Sequence, residues 1–384
     1  MTTALINTQI FTGQSVLQNH AVIVESDKVV AVMPQSELPA AIERRFDLSG
    51  RYLVPGFIDL QVNGGGGVMF NNAPTVEGLR TIASAHRRFG TTGLMPTLIT
   101  DSFEVMRQAI SAVKQAIDEG VPGILGIHLE GPFLNPERKG AHAEEKFCLI
   151  DEEGLEVISS LNVGKTIVTI APELTTTDMI KRIRDKGITI CAGHTGADYE
   201  QTCDALAAGV TGFTHLYNAM TPLQSRAPGM VGAALNDEDS WFGIIADGFH
   251  MHPAAFRVAV AAKQTGGAVL VTDAMSTVGA IDKSFVLDGE TIYAVDGRCT
   301  NAAGSLAGSD LDMNAAIKNA MKFARVSWVE AVRMASLYPA HAIGLEHQFG
   351  RIKSGYQANF VELDEEQNVM GTWISGQRYP SECT

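Results

Sequence analysis

Several common signatures are missing from this chain of 384 residues. Its five cysteines, Cys148, Cys191, Cys203, Cys299 and Cys383, are odd in number and scattered, with no CxxC pair. That excludes a disulfide framework or a zinc ribbon and fits reduced thiols in a cytoplasmic protein. The opening MTTALINTQIFTG has neither a basic region nor a continuous apolar one, so no signal peptide is expected. Nor is there a run of about 20 apolar residues to span a membrane. Positive charge is scarce: 29 Lys and Arg stand against 43 Asp and Glu, a net charge of -14. That excess argues against nucleic acid as a partner, because a phosphate backbone rewards basic surface. One phosphorylated small molecule stays compatible, since a single local Arg or His can bind it. Neither a GxGxxG turn nor a GxxxxGK[ST] loop occurs, which disfavours an open, doubly wound nucleotide-binding sheet.

What is present reads as a globular enzyme, with 45% hydrophobic and 19% charged residues. The 38 glycines suit a fold with many tight strand-to-helix turns. Both ends are β-rich: ALINTQIFTG and AVIVESDKVVAVM open the chain, and ANFVELDEEQNVMGTWISGQRY closes it. The middle has another rhythm. Apolar runs appear at GFIDLQV, TTGLMPTLI, GILGIHLEG, TIVTIAPE, GITICAGHT, GVTGFTHLYN, FGIIADGFH and AVLVTDAM. Amphipathic stretches such as TVEGLRTIASAHRRFG lie between most of them, at a repeat of about 30 residues, the size of a βαβ unit. Eight runs alternating with helices predict an α/β fold, a TIM-like (β/α)8 barrel over residues 55–349. The ends, 1–54 plus 350–384, predict one small β-sandwich domain.

Polar residues able to do chemistry gather at the C-terminal ends of these runs: Asp59, Gln61 and Asn63; Glu130; Glu173; His194; His215; Asp247 and His250; Asp273. Barrel enzymes build their sites on that face, where the βα-loops surround one mouth. One carboxylate and two imidazoles, Glu130, His194 and His215, can converge there on a divalent cation and leave a position for water. A lone buried His is more often a hydrogen-bonded core residue, but three such groups at separate run ends favour the ligand reading. His128, two residues before Glu130, reads as packing or support. Asp273 is the candidate for proton transfer, its bland alternative being a helix cap.

At these residues the chain resembles a known family. PGFIDLQVNG, HLEGPFLN, CAGHT, THLYNAM, IIADGFH, VTDAM and SLAGS resemble N-acetylglucosamine-6-phosphate deacetylases of the amidohydrolase superfamily, over nearly the whole length. The resemblance implies release of acetate from N-acetylglucosamine 6-phosphate by attack of a metal-activated water. Glu130, His194 and His215 then match the ligands of one divalent ion, zinc first, with iron, manganese or cobalt fitting the same donors. Asp273 matches the general base and acid, and His142, beside Ala141, a group that polarises the acetyl carbonyl. Asn218 and Ala219 match positions holding the sugar phosphate, and Asp247 joins the substrate-binding set. Arg226 and His250 match phosphate contacts, one of them supplied across the interface of a homodimer. Leu306, Ala307 and Gly308 match a loop over the sugar. The wider superfamily carries an HxH pair where this chain has Gln61 and Asn63. Neutral amides are poor ligands beside imidazole and carboxylate, so that second-metal site is expected to be vacant. The rivals are a deacetylase for N-acetylgalactosamine 6-phosphate, another N-acyl amidohydrolase on the same barrel, and, opposed by the intact ligand set, a non-catalytic scaffold.

Overall fold

In a computed structural model of the protein, residues 2–381 other than 43, 264, 288 and 303 are described. Eight parallel strands form the centre: β1 (Phe57–Val62), β2 (Thr91–Ile99), β3 (Gly126–Glu130), β4 (Lys165–Ile170), β5 (Thr189–Ala192), β6 (Gly212–Phe213), β7 (Trp241–Ile245) and β8 (Ala268–Val271). They pair in chain order, and the ring closes where Val62 bridges Ala274 in parallel and the Asp273 N–H donates to Gln61 O at 3.0 Å. Each of the eight apolar runs supplies one strand, giving the expected TIM-like barrel. Every residue of β1 and β2 is buried, as continuous apolar strands require when helices cover one face and the barrel interior the other.

The helices between strands start where a side chain can satisfy their free N–H groups. Thr75, Ser102, Asp151, Thr176 and Asp198 each accept a hydrogen bond from the first turn of the helix that follows. Helix α1 (Val76–Arg87) buries Leu79, Ile82, Ala83 and His86 on one stripe.

Strands from both ends of the chain belong to one continuous hydrogen-bonded sheet. Tyr52–Pro55 joins the halves, pairing in parallel with Thr2–Phe11 and antiparallel with Phe360–Leu363. This sheet has its own core of Leu5, Ile10, Val22, Leu53, Phe360 and Trp373. At its middle the buried Glu362 carboxylate accepts from Arg378 at 2.6 Å, Trp373 Nε1 at 2.7 Å and Arg51 at 3.1 Å. Removing either guanidinium would leave a buried charge short of partners.

A further four-stranded antiparallel sheet follows β8: Ser284–Leu287, Glu290–Val295, Arg298–Thr300 and Leu306–Ser309. The segment 306–308, expected as a loop, is therefore strand, and its end is fixed to the barrel by Ser309 N–H donating to Asp273 O at 3.0 Å. Such short, half-polar strands carry too little apolar alternation to be read as strands in advance. Cys148, Cys191, Cys203 and Cys299 are free thiols, and Cys383 lies outside the described residues. Among the described residues no helix is long and apolar enough to cross a membrane.

Candidate active site

Glu130 is the last residue of β3, while His194 and His215 lie two residues beyond β5 and β6. Both histidines have positive φ, 48° and 30°, as do Tyr217, Ala219 and Asp273. Left-handed backbone is costly for residues with a Cβ and persists where surroundings hold it. For His194 that hold is visible. Asn135 N–H donates to His194 O at 2.9 Å, while Thr195 Oγ and Gly196 N–H both donate to Glu173, which Asn135 Nδ2 also reaches at 2.8 Å. Glu173 thus clamps the loop behind a ligand instead of facing the cavity. Its run-end position signalled importance; the clamp depended on Asn135 and Thr195, distant in sequence.

The three candidate ligands converge. Glu130 Oε1 lies 3.0 Å from His215 Nε2 and 3.2 Å from His194 Nε2, and the two imidazole nitrogens are 3.0 Å apart. All three side chains are buried. His194 Nδ1 sits 2.8 Å from Arg138 O, which fixes its proton there and leaves Nε2 as a bare acceptor toward the other two. Two imidazole nitrogens and a carboxylate oxygen drawn together in this way fit a divalent cation, and these atoms lie within 4.8 Å of one another. Burial raises the Glu130 carboxyl, but the surrounding imidazoles of His142, His194 and His215 outweigh it and hold the group well below the usual carboxylate range.

Asp273 follows β8 on the opposite wall. Burial and the Glu130 charge push its carboxyl up from the ordinary value, against His215, His250 and Asn63. Its Oδ1 accepts from Asn63 Nδ2 at 2.7 Å and from Gln61 Nε2 at 3.2 Å, and Gln61 Nε2 also reaches Glu130 Oε2 at 3.0 Å. The amides that stand where the superfamily has histidines therefore act as donors to both carboxylates. Below them Asp59 accepts from Thr272 Oγ, Thr272 N–H and Gln61 N–H, and burial pushes its carboxyl up to about 7. His128 is buried under the ligands, with Nδ1 at 2.9 Å from Leu60 O and Nε2 at 2.8 Å from Thr169 Oγ, a support role.

A cavity of about 190 Å³ opens beside these groups. Asn63, Glu130, Ala141, His142, His194, His215, Asn218, Ala219, His250, Asp273, Leu306 and Gly308, all predicted from sequence, border it, and Ile99, Gly140 and Met275 join them. His250 is aimed by Asp247, whose Oδ2 lies 2.6 Å from His250 Nδ1 and whose Oδ1 accepts from the N–H groups of Phe249 and His250. Asp247 thus orients a cavity residue without bordering the cavity. Gln61 likewise lies behind the wall, and Ala307 lines an adjoining space between residues 139–145 and the four-stranded sheet. Arg226 is exposed on its loop and does not border the cavity of its own chain. Burial pushes His142 down to about 4, with the neighbouring His194 contributing, so it is neutral at pH 7.

This arrangement offers a cation site, a carboxylate whose proton affinity is raised, and a neutral imidazole at one mouth. That set suits hydrolysis of a neutral acyl bond. A family model described as Amidohydrolase family matches residues 52–379, and one described as NagA composite domain matches residues 3–53. The N-acetylgalactosamine-6-phosphate deacetylase of Shewanella sp. (strain ANA-3) is 43% identical over 367 residues, 95% of this chain and 93% of that protein. The N-acetylglucosamine-6-phosphate deacetylase of Haemophilus influenzae is 38% identical over 379 residues, 97% and 98% of the two chains. Among solved structures, N-acetylglucosamine-6-phosphate deacetylase from Pasteurella multocida superposes with a TM-score of 0.95 at 36% identity, covering 99% of this chain and 100% of that one.

Proposed function

The chain belongs to the amidohydrolase family, and on that premise we propose that it hydrolyses the acetamide of N-acetylglucosamine 6-phosphate to glucosamine 6-phosphate and acetate. The observation that carries this reading is the convergence of Glu130, His194 and His215 opposite Asp273 at one cavity mouth. It is supported by relatives of that name that align nearly end to end.

One divalent cation, zinc before iron, manganese or cobalt, would be held by Glu130, His194 and His215 and would supply Lewis acidity and acidify water in the site. Asp273 takes the proton of the attacking water as its oxygen bonds to the acetyl carbon. His142 donates a hydrogen bond to the carbonyl oxygen as negative charge builds there. Asp273 then returns the proton to the sugar nitrogen as the C–N bond breaks, leaving the amine and acetate. Leu306, Ala307 and Gly308 cover the sugar, and Asn218, Ala219 and His250, with Asp247 behind it, receive the phosphate end.

No Arg or Lys borders the cavity among the described residues. A phosphate dianion calls for a charged, bidentate donor. We infer a homodimer in which the exposed Arg226 loop of a second copy completes each site. The free thiols favour a cytoplasmic setting. The division at 1–54 plus 350–384 and 55–349 follows the same reading, supported by the apolar core that the sheet from both ends has to itself.

Acetate release by purified, metal-supplemented protein tests the proposal. The phosphorylated sugar should turn over, the unphosphorylated one far more slowly, and a chelator should abolish both. No acetate from either sugar with metal bound would refute the substrate. The Shewanella relative favours a second reading, the C4 epimer N-acetylgalactosamine 6-phosphate. The ratio of kcat/KM for the two phosphates decides between them.

A further inference from the structure

Thr100 is the first residue after β2, and only 3% of it is exposed. Strand pairing with β3 stops one residue earlier, at Ile99 opposite Glu130. The Thr100 backbone N–H therefore has no strand acceptor. Its partner is His142 Nδ1, at 3.3 Å, and the Thr100 hydroxyl lies 2.8 Å from the same nitrogen. A proton on Nδ1 would set two N–H groups face to face and orphan a buried backbone donor. On the far side of the ring, Nε2 lies 3.8 Å from Glu130 Oε1, a carboxylate oxygen. The Thr100 side of the ring thus places the proton on Nε2, which lies too far from Glu130 to hydrogen-bond it.

We infer that Thr100 is a positioning residue that fixes His142 as its Nε2–H tautomer, a neutral hydrogen-bond donor aimed into the cavity and not a base. The next residue extends the device. Asp101 Oδ1 holds Lys146 Nζ at 3.0 Å, and Asn71 Nδ2 donates to Asp101 Oδ2 at 3.2 Å. Lys146 closes the segment that carries His142. Two consecutive residues at the end of β2 thus hold, respectively, the ring and the loop that bears it. The tautomer stands on geometry alone; that its N–H meets an acetyl oxygen rests on the deacetylase reading above.

The test is long-range 1H–15N correlation on zinc-loaded protein with 15N-labelled histidine, His142 being assigned by its loss in His142→Gln. The expected ring has a pyridine-type Nδ1 and a pyrrole-type Nε2. A wild-type ring protonated at Nδ1 overturns the inference, even if the Thr100 variants misfold. Thr100→Val should keep its metal and a near-normal KM, lower kcat roughly tenfold, the rate equivalent of about one hydrogen bond, and shift the His142 resonances toward a tautomer mixture. Thr100→Ser should restore both. Wild-type kcat with an unchanged spectrum in Thr100→Val overturns the hydroxyl's part. Absence of acetate release from wild-type protein would instead sink the substrate reading and leave the ring assignment legible.

Discussion

Replacing Asn63 with Ala removes the shorter of the two hydrogen bonds to Asp273 Oδ1, the 2.7 Å contact from Asn63 Nδ2. Asp273 is buried, 8% exposed, and its carboxyl is raised by burial and the Glu130 charge, so the lost donor acts on a carboxylate with little water to replace it. Hydrogen bonds to charged groups contribute about 1.5–3 kcal/mol, and a pKa unit corresponds to about 1.4 kcal/mol. The carboxylate form should therefore become harder to reach by roughly one to two pH units. Asp273 must be ionised to accept the proton of water, so the acidic limb of kcat/KM should move up by that amount. Below the limb the variant loses activity; well above it the rate approaches that of wild type. The assay is a pH profile of acetate release, with metal content per chain measured on the same samples. An acidic limb that stays in place with metal retained would refute the claim that Asn63 keeps Asp273 ionised. So would a uniform loss at every pH.

Metal analysis should find one tightly bound ion per chain, because Gln61 and Asn63 point N–H donors at the carboxylate oxygens a second cation would need; two ions would refute this. Arg226→Ala should chiefly erode the preference for phosphorylated over unphosphorylated sugar, and an unchanged ratio of kcat/KM values would remove Arg226 from the phosphate site. Asp59 governs a stability term. Its carboxyl rises from 3.8 to about 7 on burial, so the folded state binds this proton more tightly than the unfolded one. The contribution is full below about pH 4 and is lost as pH climbs through 7, by an amount on the order of 4 kcal/mol. Denaturant unfolding at pH 5 and pH 8 should show a steeper loss for wild type than for Asp59→Asn; equal losses would be incompatible with a protonated Asp59.

How much could be read in advance follows from what each signal depends on. The barrel strands were legible because each is a buried apolar run ended by a polar residue, and that polar residue marked the mouth. Glu130, His194, His215 and Asp273 were found by the same rule. Resemblance added His142, Asn218 and Ala219, which sit in loops without periodic pattern. Thr100 escaped notice because Thr ends many strands, and its role exists only once residue 142 folds back over it. The sheet over 284–309 was missed because segments such as RCT and LAGS are too short to alternate visibly. Arg226 too came from the resemblance, yet no local rule says which cavity a loop serves, and in this chain it faces outward.

The two carboxylates at the mouth have the same chemistry and opposite fates, and the surroundings explain why. Glu130 is met by three imidazoles, which outweigh its burial and hold it ionised as a ligand. Asp273 is raised by burial and by the repulsion of Glu130 itself, which His215, His250 and the Asn63 amide only partly offset, so its affinity for a proton rises. Such a separation assigns one group to hold charge and the other to carry protons. Histidines at positions 61 and 63 would collapse the distinction, since with a second cation between them both carboxylates would be held ionised. The amides are thus more than lost ligands: by donating to Asp273 without neutralising it, they leave it able to take a proton and give it back.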